Sequence, residues 1–376
     1  MNNKRKTKVF IVCAGLGRVY RGYESSLQQT FEALVHEPDL EVKLYKGGGP
    51  EGDREEVLWN LPRNSPLAAR LSSMTNRPDY WFEHTSFTLS LIPAISRYKP
   101  DIVYFAEDTI GRILWRLRRL IRLSSKLVLR NNGPIYPPYL WYDGVQHVNT
   151  IIHRIATEHG EPVQKQVFLP EGFDIEPKWR PRDKQYQAAL RRRLNLPDDR
   201  PILLSVGAVN KGHKRMDYVV GEVTALPEPR PYLVMLGQQD RDTPDIRRQA
   251  QERLGEQNFA IRTVPPDEVD QYYEAADLFV LGSTFEGFGR VYVEALAHGL
   301  ACLAHDNEMT RYIIGDPETV ANFKEPGELA RLLRQQLALS GREEAQAERH
   351  RRAYELFSWD SLKPQYVQML HKFAMQ

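Results

Sequence analysis

The stretch DLFVLGSTFEGFGRVYVEALAHGLACLAH, residues 277–305, places one helical pattern between two apolar runs. The runs at 277–283 and 300–305 are unbroken, which is typical of strands buried on both faces of a parallel sheet. Between them a helix is predicted from about Gly289 to Gly299, where glycine favours a C-terminal stop. Parallel strands need such a crossover, so the stretch predicts one strand–helix–strand unit of an α/β sheet.

The same alternation recurs along the 376 residues, a length that suits two domains. The stretch 173–200 is proline-punctuated and charged, which is typical of a linker. We therefore predict two doubly wound, Rossmann-like α/β domains, at 1–175 and 176–356. Ligands bind outside the carboxyl ends of such strands, so the two domains are expected to face each other across a cleft. The other apolar runs are 8–15, 41–47, 101–107, 126–132, 165–172, 201–209, 232–237 and 259–264.

Composition narrows the class of protein. A net charge of +2 with 27% charged and 41% hydrophobic residues is typical of a globular protein and too mild to indicate a nucleic-acid partner. No run approaches the roughly 20 apolar residues of a membrane span, and the run Val9–Ala14 is short for a secretory signal. Cys13 and Cys302 lie in apolar runs, which favours buried strand cysteines over redox-active ones. We expect a cytoplasmic protein.

Two carboxylates flank the start of the helix predicted in the opening stretch. Gly287 and Gly289 let the backbone approach a ligand closely, and a helix N-terminus favours an anion. Glu286 precedes that N-terminus, and Glu294 lies roughly 7 Å further along the axis. One ligand could therefore reach both acids, and a carboxylate suits the vicinal hydroxyls of a sugar. The alternative is a helix with a favourable acid at its start and an exposed glutamate later.

A basic loop follows the strand predicted at 201–209. In SVGAVNKGHKRMDYVV, residues 205–220, the loop carries several cations, and a helix starts near Arg215. Cations at a helix N-terminus suit a diphosphate, although a solvated basic loop is the alternative.

A glycine turn, CAGLG at 13–17, follows the first predicted strand. Gly15 and Gly17 suggest that backbone approaches a phosphate there. A dinucleotide fingerprint needs a third glycine, and Tyr20 stands at that position. The turn alone is therefore a weak signal.

Together these motifs resemble the retaining GT-B glycosyltransferases of family 4. FEGFGRVYVEALAHGLACLA, residues 285–304, matches the E-x7-E motif of that family, and the basic loop is similar to its V-G-R-L…K-G-x-D element. The resemblance implies a GT-B fold with an N-terminal acceptor domain and a C-terminal nucleotide-sugar domain. The segment FSWDSLKPQYVQML, 357–370, resembles the start of the final helix, which would span about 357–376 and pack back onto the first domain.

The resemblance also implies roles for individual residues. Glu286 and the amides of the following residues would hold the donor sugar, and Glu294 would bind the ribose hydroxyls. Lys214 would contact the diphosphate, and the turn at Gly15 and Gly17 would approach it. Val264 would lie beside the nucleobase. We take Glu286 and Lys214 as catalytic candidates, and the donor-binding candidates as Gly15, Gly17, Lys211, Val264, Gly287, Phe288, Gly289 and Glu294.

One departure from the family concerns positive charge. The family has an arginine where this chain has Ala208, and the loop is one residue longer. Lys211, His213 or Arg215 could supply the second cation, and Lys211 is the preferred choice.

Two further departures lie in the first half of the chain. Glu171 replaces the asparagine of a family element in VFLPEGFD, 167–174. The histidine usual at the end of an N-domain strand is missing, and Asn131, Asn132 and Gly133 occupy that region. Asn132 is the candidate for an acceptor or sugar contact, and a turn asparagine is the alternative.

The segment 111–130 carries six arginines and Lys126 but no acid. A basic amphipathic helix can lie on anionic lipid, so a peripheral contact with the inner face of the membrane is open. The alternative, which we favour, is a helix that covers a sheet and has solvated arginines.

The predicted function is transfer of a hexose from a nucleotide diphosphate sugar, UDP-hexose foremost, to a glycan, lipid-linked or small-molecule hydroxyl with retention of configuration. No histidine, cysteine or acid spacing indicates a metal, so no cofactor is expected. Other GT-B enzymes, such as a phosphorylase or an epimerase, are rivals within the fold. A non-catalytic sugar-nucleotide or glycan-binding subunit of a larger synthase is the alternative of a different class.

Overall fold

The computed structural model describes residues 5–19, 22–181, 183–339 and 341–376, so Tyr20 lies outside the described residues. The chain divides into two compact units. Unit 1 is Met1–Asp174 with Phe357–Gln376, and unit 2 is Ile175–Leu356.

Unit 1 is built on a seven-stranded parallel sheet. The strands are β1 (Thr7–Cys13), β2 (Leu40–Lys46), β3 (Glu55–Val57), β4 (Ile102–Phe105), β5 (Lys126–Asn131), β6 (Gly144–His147) and β7 (Gln166–Phe168). The helices are α1 (Gly22–Leu34), α2 (Pro66–Thr75), α3 (Asp79–Tyr98), α4 (Asp108–Leu117) and α5 (Thr150–Glu158). The strand order is β3-β2-β1-β4-β5-β6-β7, so the winding reverses between β1 and β4. Loops after these two strands border a crevice of the kind that binds ligands in α/β sheets.

Unit 2 has a six-stranded parallel sheet in the order β10-β9-β8-β11-β12-β13. Its strands are β8 (Ile202–Val206), β9 (Tyr232–Leu236), β10 (Phe259–Arg262), β11 (Leu278–Val280), β12 (Ala301–His305) and β13 (Val320–Ala321). The helices are α6 (Lys184–Arg193), α7 (Met216–Thr224), α8 (Thr243–Leu254), α9 (Val269–Ala275), α10 (Arg290–Ala297), α11 (Glu308–Ile314), α12 (Glu328–Leu339) and α13 (Glu343–Phe357). Here the winding reverses between β8 and β11.

The last helix, α14 (Trp359–Ala374), belongs to unit 1 although it follows unit 2 in the chain. Its apolar face contributes Leu362, Tyr366, Met369 and Phe373 to the core that also holds β1. Tyr366 donates a hydrogen bond to the carbonyl of Pro170, at 2.8 Å.

The stretch with linker composition, 173–200, contains a packed helix. Arg191 of α6 donates through Nε to the carbonyl of Ala275, at 2.8 Å, and its Nη2 lies 2.7 Å from Asp277 Oδ2. These bonds fix α6 on unit 2, because Ala275 ends α9 and Asp277 precedes β11. The interpretation of the whole stretch as linker was therefore wrong over α6.

Three short strands are not among the predicted apolar runs: β3, β6 and β13. In β6, Gln146 and His147 are polar yet fully buried. Gln146 donates to the carbonyl of Leu169, at 2.8 Å, and His147 Nε2 lies 3.2 Å from Gln166 Oε1. Burial of these groups depends on partners from distant parts of the chain, which apolar patterning does not reveal.

Cys13 and Cys302 are fully buried free thiols, in agreement with the interpretation as strand cysteines. Burial raises the pKa of both thiols, so both stay protonated. Among the described helices, none is both long enough and apolar enough to cross a bilayer. Among the described residues, no three or more histidine, cysteine or acidic side chains lie together so that they could hold a metal ion.

Candidate functional site

The most compact group of predicted site residues lies at the carboxyl edge of the unit 2 sheet. The neighbouring strands β8 and β11 continue into the loops 207–215 and 281–289. Lys214 and Glu286 meet there although 72 residues separate them, with Lys214 Nζ 2.7 Å from Glu286 Oε1. Only 15% and 12% of their side-chain surfaces are exposed. Partial burial strengthens the pair because water screens it less.

The conformation of the loop after β8 positions the Lys214 side chain beside Glu286. The side chain of Asn210 accepts hydrogen bonds from the backbone N–H groups of His213 and Lys214, at 3.2 and 2.9 Å. A Cβ atom on Gly207 would lie 2.9 Å from Lys214 Cε, and one on Gly282 would lie 2.9 Å from the Lys214 carbonyl oxygen. Larger residues at these glycines would displace the lysine.

Two other cations of the loop have partners elsewhere. Lys211 Nζ lies 2.9 Å from Asp245 Oδ2, on the surface of unit 2. Arg215 adopts a left-handed conformation at the start of α7, and its guanidinium donates to the carbonyl of Phe323 at 3.1 Å. Neither side chain is paired with Glu286.

His213 lies beside the ion pair instead. Its Nε2 is 3.7 Å from Glu286 Oε1 and 3.1 Å from the carbonyl oxygen of Phe285. The ring is more than half exposed. The loop after β8 thus brings an imidazole close to the carboxylate that pairs with Lys214.

Glu294 lies within α10 and has its own fixed orientation. Its Oε2 accepts a hydrogen bond from the Tyr273 hydroxyl at 2.9 Å, and its Oε1 lies 3.8 Å from Arg290 Nε. Burial, together with the Glu294 charge, raises the pKa of Tyr273 well above its usual value. Tyr273 therefore keeps the proton that it donates.

The residues between the two acids shape the start of α10. Gly289 has φ +89° and precedes the helix in the left-handed region, where a Cβ would lie 2.8 Å from the Tyr292 ring. The Phe288 side chain is buried. Gly287 is half-buried. Phe288 and Gly289 thus have clear packing roles in addition to the donor role predicted for their amides.

Val264 lies two residues after β10, at the same edge of the sheet and half-buried. The preceding Thr263 hydroxyl donates to the carbonyl of Gly237 at 2.7 Å, which ties the strand end to the loop after β9. The structure places Val264 two strands away from β8 in the sheet order.

Other segments of unit 1 pack closely against its glycine turn. Gly17 has φ +82°, and a Cβ there would lie 2.1 Å from the carbonyl oxygen of Gly48. At Gly15, a Cβ would lie 2.8 Å from both Arg63 Nη2 and Glu24 Oε1. Close approach by neighbouring protein segments therefore explains these glycines, and the predicted phosphate contact stays a prediction.

Glu107, the acid that ends the run 101–107, is absent from the predicted site yet lies beside the same turn. Its Oε1 accepts the backbone N–H of Ala14 at 2.9 Å. Burial raises the pKa of Glu107 to about 7, and the Ala14 hydrogen bond opposes the rise. An acid at the end of a buried strand is the sequence signal that marks it.

Asn132 forms part of a buried polar cluster in unit 1. Its Nδ2 donates to Glu171 Oε1 at 3.0 Å, and Glu171 also pairs with the buried Arg130 at 3.3 Å. Glu171 thus neutralises a guanidinium, which accounts for its replacement of the family asparagine. The Asn132–Glu171 bond joins residues far apart in the chain, and the sugar contact predicted for Asn132 stays a prediction.

The donor-side candidates of unit 2 lie in a region with a clear family resemblance. Residues 187–354 match the family Glycosyl transferases group 1. The glycosyltransferase group 1 match includes Lys214, Glu286 and Glu294. The matched residues lie within unit 2.

Among curated proteins, the chain is similar to alpha-monoglucosyldiacylglycerol synthase of Streptococcus pneumoniae, with 30% identity over 46% of this chain and 40% of that protein. It is also similar to D-inositol 3-phosphate glycosyltransferase of Xylanimonas cellulosilytica, with 29% identity over 54% of this chain and 50% of that protein. The chain spans about half the length of the curated relatives that it matches.

Solved structures resemble almost the whole chain. Sucrose-phosphate synthase of Thermosynechococcus elongatus superposes with a TM-score of 0.78 at 18% identity, covering 99% of this chain and 100% of that one. Anabaena HepE in complex with UDP-glucose gives a TM-score of 0.75 at 15% identity over 97% and 99%. With the two parallel sheets, these likenesses confirm the prediction of two Rossmann-like α/β domains as in GT-B glycosyltransferases.

Proposed function

We propose that this protein is a retaining, metal-independent glycosyltransferase of family 4. It moves a hexose from a nucleotide diphosphate sugar, UDP-hexose foremost, to a hydroxyl of a glycan, glycolipid or small-molecule acceptor. The observation that carries the proposal is the Lys214–Glu286 ion pair at the point where the winding of unit 2 reverses, before the N-terminus of α10. A cation, a carboxylate and a helix N-terminus suit a ligand that joins a phosphate to a polyol.

The relatives support the same ligand class. HepE was solved with UDP-glucose, and starch synthase IV of Arabidopsis thaliana with ADP and acarbose. The Streptococcus relative is named for a diacylglycerol product. Unit 2 is proposed to bind the donor and unit 1 the acceptor. The buried free thiols suit a reducing cytoplasm.

Donor binding would exchange the partners of the ion pair. As long as Lys214 pairs with Glu286, the two charges cancel. A diphosphate would draw the Lys214 ammonium to its oxygens, and Glu286 would then accept hydrogen bonds from the sugar hydroxyls. Glu294, oriented by Tyr273, would accept from the ribose.

The charge balance also requires a second cation. A diphosphate ester carries about two negative charges at neutral pH, and Lys214 supplies one positive charge. Lys211 pairs with Asp245 and Arg215 with the carbonyl of Phe323. His213 is the other side chain of this loop beside Glu286, and its imidazole would supply the second positive charge when protonated, so we assign the second contact to it.

In the proposed reaction, the bond between the sugar C1 and the diphosphate oxygen breaks while the acceptor oxygen bonds to C1 from the same face. The acceptor proton passes to a phosphate oxygen of the leaving diphosphate. Lys214 and His213 would stabilise the charge that grows on that group. Preorganised donors of this kind commonly contribute about 3–4 kcal/mol.

The experiment is a binding screen of the full chain in EDTA with UDP-, GDP- and ADP-sugars, measured by thermal shift and calorimetry. We expect one nucleotide to stabilise the wild type. Lys214→Ala and Glu294→Ala should weaken its affinity about tenfold or more, because each removes a charged hydrogen-bond partner. His213→Ala should weaken it by a smaller factor.

Lys211→Ala is the matched control, since it removes a cation from the same loop. Retained affinity in this variant supports His213, whereas a loss confined to Lys211→Ala restores the lysine as the second cation. Absence of binding by every nucleotide overturns the proposed donor site. Release of free nucleotide from a bound donor, with or without acceptor, separates a transferase from the binding-subunit alternative.

A further inference from the structure

Exposed apolar side chains are concentrated in one short part of unit 1. Of the large hydrophobic residues that stand well exposed in the described chain, four lie within 59–80: Trp59, Leu67, Met74 and Tyr80. Single exposed apolar residues are ordinary, but a local concentration marks an interaction surface.

Two of these residues belong to the helix α2 and lie on one side of it. Leu67 and Met74 are 56% and 72% exposed, and they stand seven positions apart, with Arg70 between them on the same side. Only Ala68 of α2 is buried. Ser65 caps the helix at its start, and the left-handed Asn76 ends it. The helix is thus well defined although Leu67 and Met74 are exposed to solvent.

The charged side chains of residues 57–78 are all positive. Between Glu56 and Asp79 the chain contains no acid and three arginines, Arg63, Arg70 and Arg77. Arg63 forms a buried ion pair with Glu83, whereas Arg70 and Arg77 are exposed. An apolar helix face with exposed arginines is complementary to an anionic, apolar-cored surface.

The segment 111–130 is different although its sequence is more basic. In α4, Ile110 and Leu114 are buried, so the apolar face points into unit 1. Arg118 forms a bidentate salt bridge with Asp143, at 2.6 and 3.1 Å, and Arg112 forms a salt bridge with Asp108 at 2.6 Å. The helix α4 covers the sheet, as the favoured alternative for this segment states.

We propose that the face of α2 formed by Leu67, Arg70 and Met74 (the α2 face) docks on an anionic lipid bilayer. Leu67 and Met74 enter the interfacial layer, and Arg70 with Arg77 binds the lipid phosphates. The aromatic rings of Trp59 and Tyr80 flank the helix in the chain and are of the kind enriched at membrane interfaces. This surface goes beyond the proposed transfer reaction and does not depend on it.

The test is co-sedimentation of the full chain with vesicles of phosphatidylcholine alone and of phosphatidylcholine with about 30 mol% phosphatidylglycerol. We expect binding to the anionic vesicles. The double variants Leu67→Ser with Met74→Ser, and Arg70→Glu with Arg77→Glu, should each weaken it about tenfold or more. Circular dichroism and the melting temperature should stay unchanged, because the substituted side chains are exposed.

The matched controls lie in the segment 111–130: Leu120→Ser, and Arg119→Glu with Arg122→Glu. They change exposed residues by the same chemistry and should leave vesicle binding within about twofold. The proposal is overturned if the wild type ignores anionic vesicles, binds both compositions equally, or loses binding through the controls alone. It is also overturned if light scattering shows a lipid-free dimer that Leu67→Ser with Met74→Ser dissociates, since the face would then join two copies of the chain.

Discussion

The buried acid Glu107 is hydrogen-bonded to the backbone of the glycine turn in unit 1. Its carboxyl accepts the N–H of Ala14, one residue before Gly15. Burial raises the pKa of Glu107 to about 7 from an ordinary value of 4.5, and the nearby Glu24 charge acts in the same direction. Near neutral pH the carboxyl is therefore partly protonated, and its ionisation places a charge beside Cys13 and Glu24.

The variant Glu107→Gln should change how stability depends on pH. The folded protein keeps the Glu107 proton up to about pH 7, whereas the unfolded chain releases it above about 4.5. Stability from this group is therefore complete below about pH 4.5 and is lost as pH rises through 7. Glutamine removes the loss, so the variant should gain about 3 kcal/mol relative to wild type between pH 4.5 and 8.

Urea unfolding of both proteins at several pH values measures this difference, because the contributions of other groups cancel in the comparison. Glutamine can still accept the Ala14 N–H, so the two proteins should be similar near pH 4.5. A difference in stability that does not change with pH would show that Glu107 ionises normally in the folded protein.

At the scale of the element, the start of α10 depends on Gly289. The residue lies at φ +89°, and a Cβ added to it would lie only 2.8 Å from a ring atom of Tyr292. Gly289→Ala should destabilise the protein by about 1–3 kcal/mol through left-handed strain and the ring contact. It should also weaken donor affinity, because the helix N-terminus and Glu286 would shift.

Gly221→Ala is the comparison for that variant. Gly221 lies inside α7, and a Cβ there meets only Arg253 Nη1, at 4.0 Å. Alanine in a helix interior stabilises by about 0.5–1 kcal/mol, so the two substitutions should shift the melting temperature in opposite directions. Equal effects would contradict the role given to Gly289.

At the scale of the whole molecule, unit 1 is completed by a helix from the far end of the chain. Phe373 of α14 is buried in the core of unit 1 and contacts Gly144 of β6 so closely that a Cβ there would lie 2.7 Å from its ring. Phe373→Ala should destabilise unit 1 by about 3–5 kcal/mol, because it leaves a cavity between α14 and the sheet.

Hydrogen–deuterium exchange measures where that loss falls. Amides of Met1–Asp174 should exchange faster in Phe373→Ala, whereas those of Ile175–Leu356 should keep their protection. Leu332→Ala, in the core of unit 2, is the reciprocal variant and should do the opposite. Faster exchange throughout the chain in both variants would show that the two units unfold together.

The amino-acid sequence alone determined the α/β class, the parallel strands and the acids before and within α10. These features follow from local periodicity and from glycines whose backbone requirement is local. The resemblance of 285–304 to a family motif pointed to the ligand class for the same reason, since the whole motif lies within one strand–loop–helix unit.

Only the tertiary structure decided which groups meet. The order of β8 and β11 brings Lys214 and His213 to Glu286, and directs Lys211 to Asp245 instead. The fold also buries Gln146 and His147 of β6 and Arg191 of α6 against polar partners. It leaves Leu67 and Met74 of α2 exposed, whereas the apolar face of α4 is buried. Ion pairs and buried hydrogen bonds join residues far apart in the chain, so local patterns do not specify them.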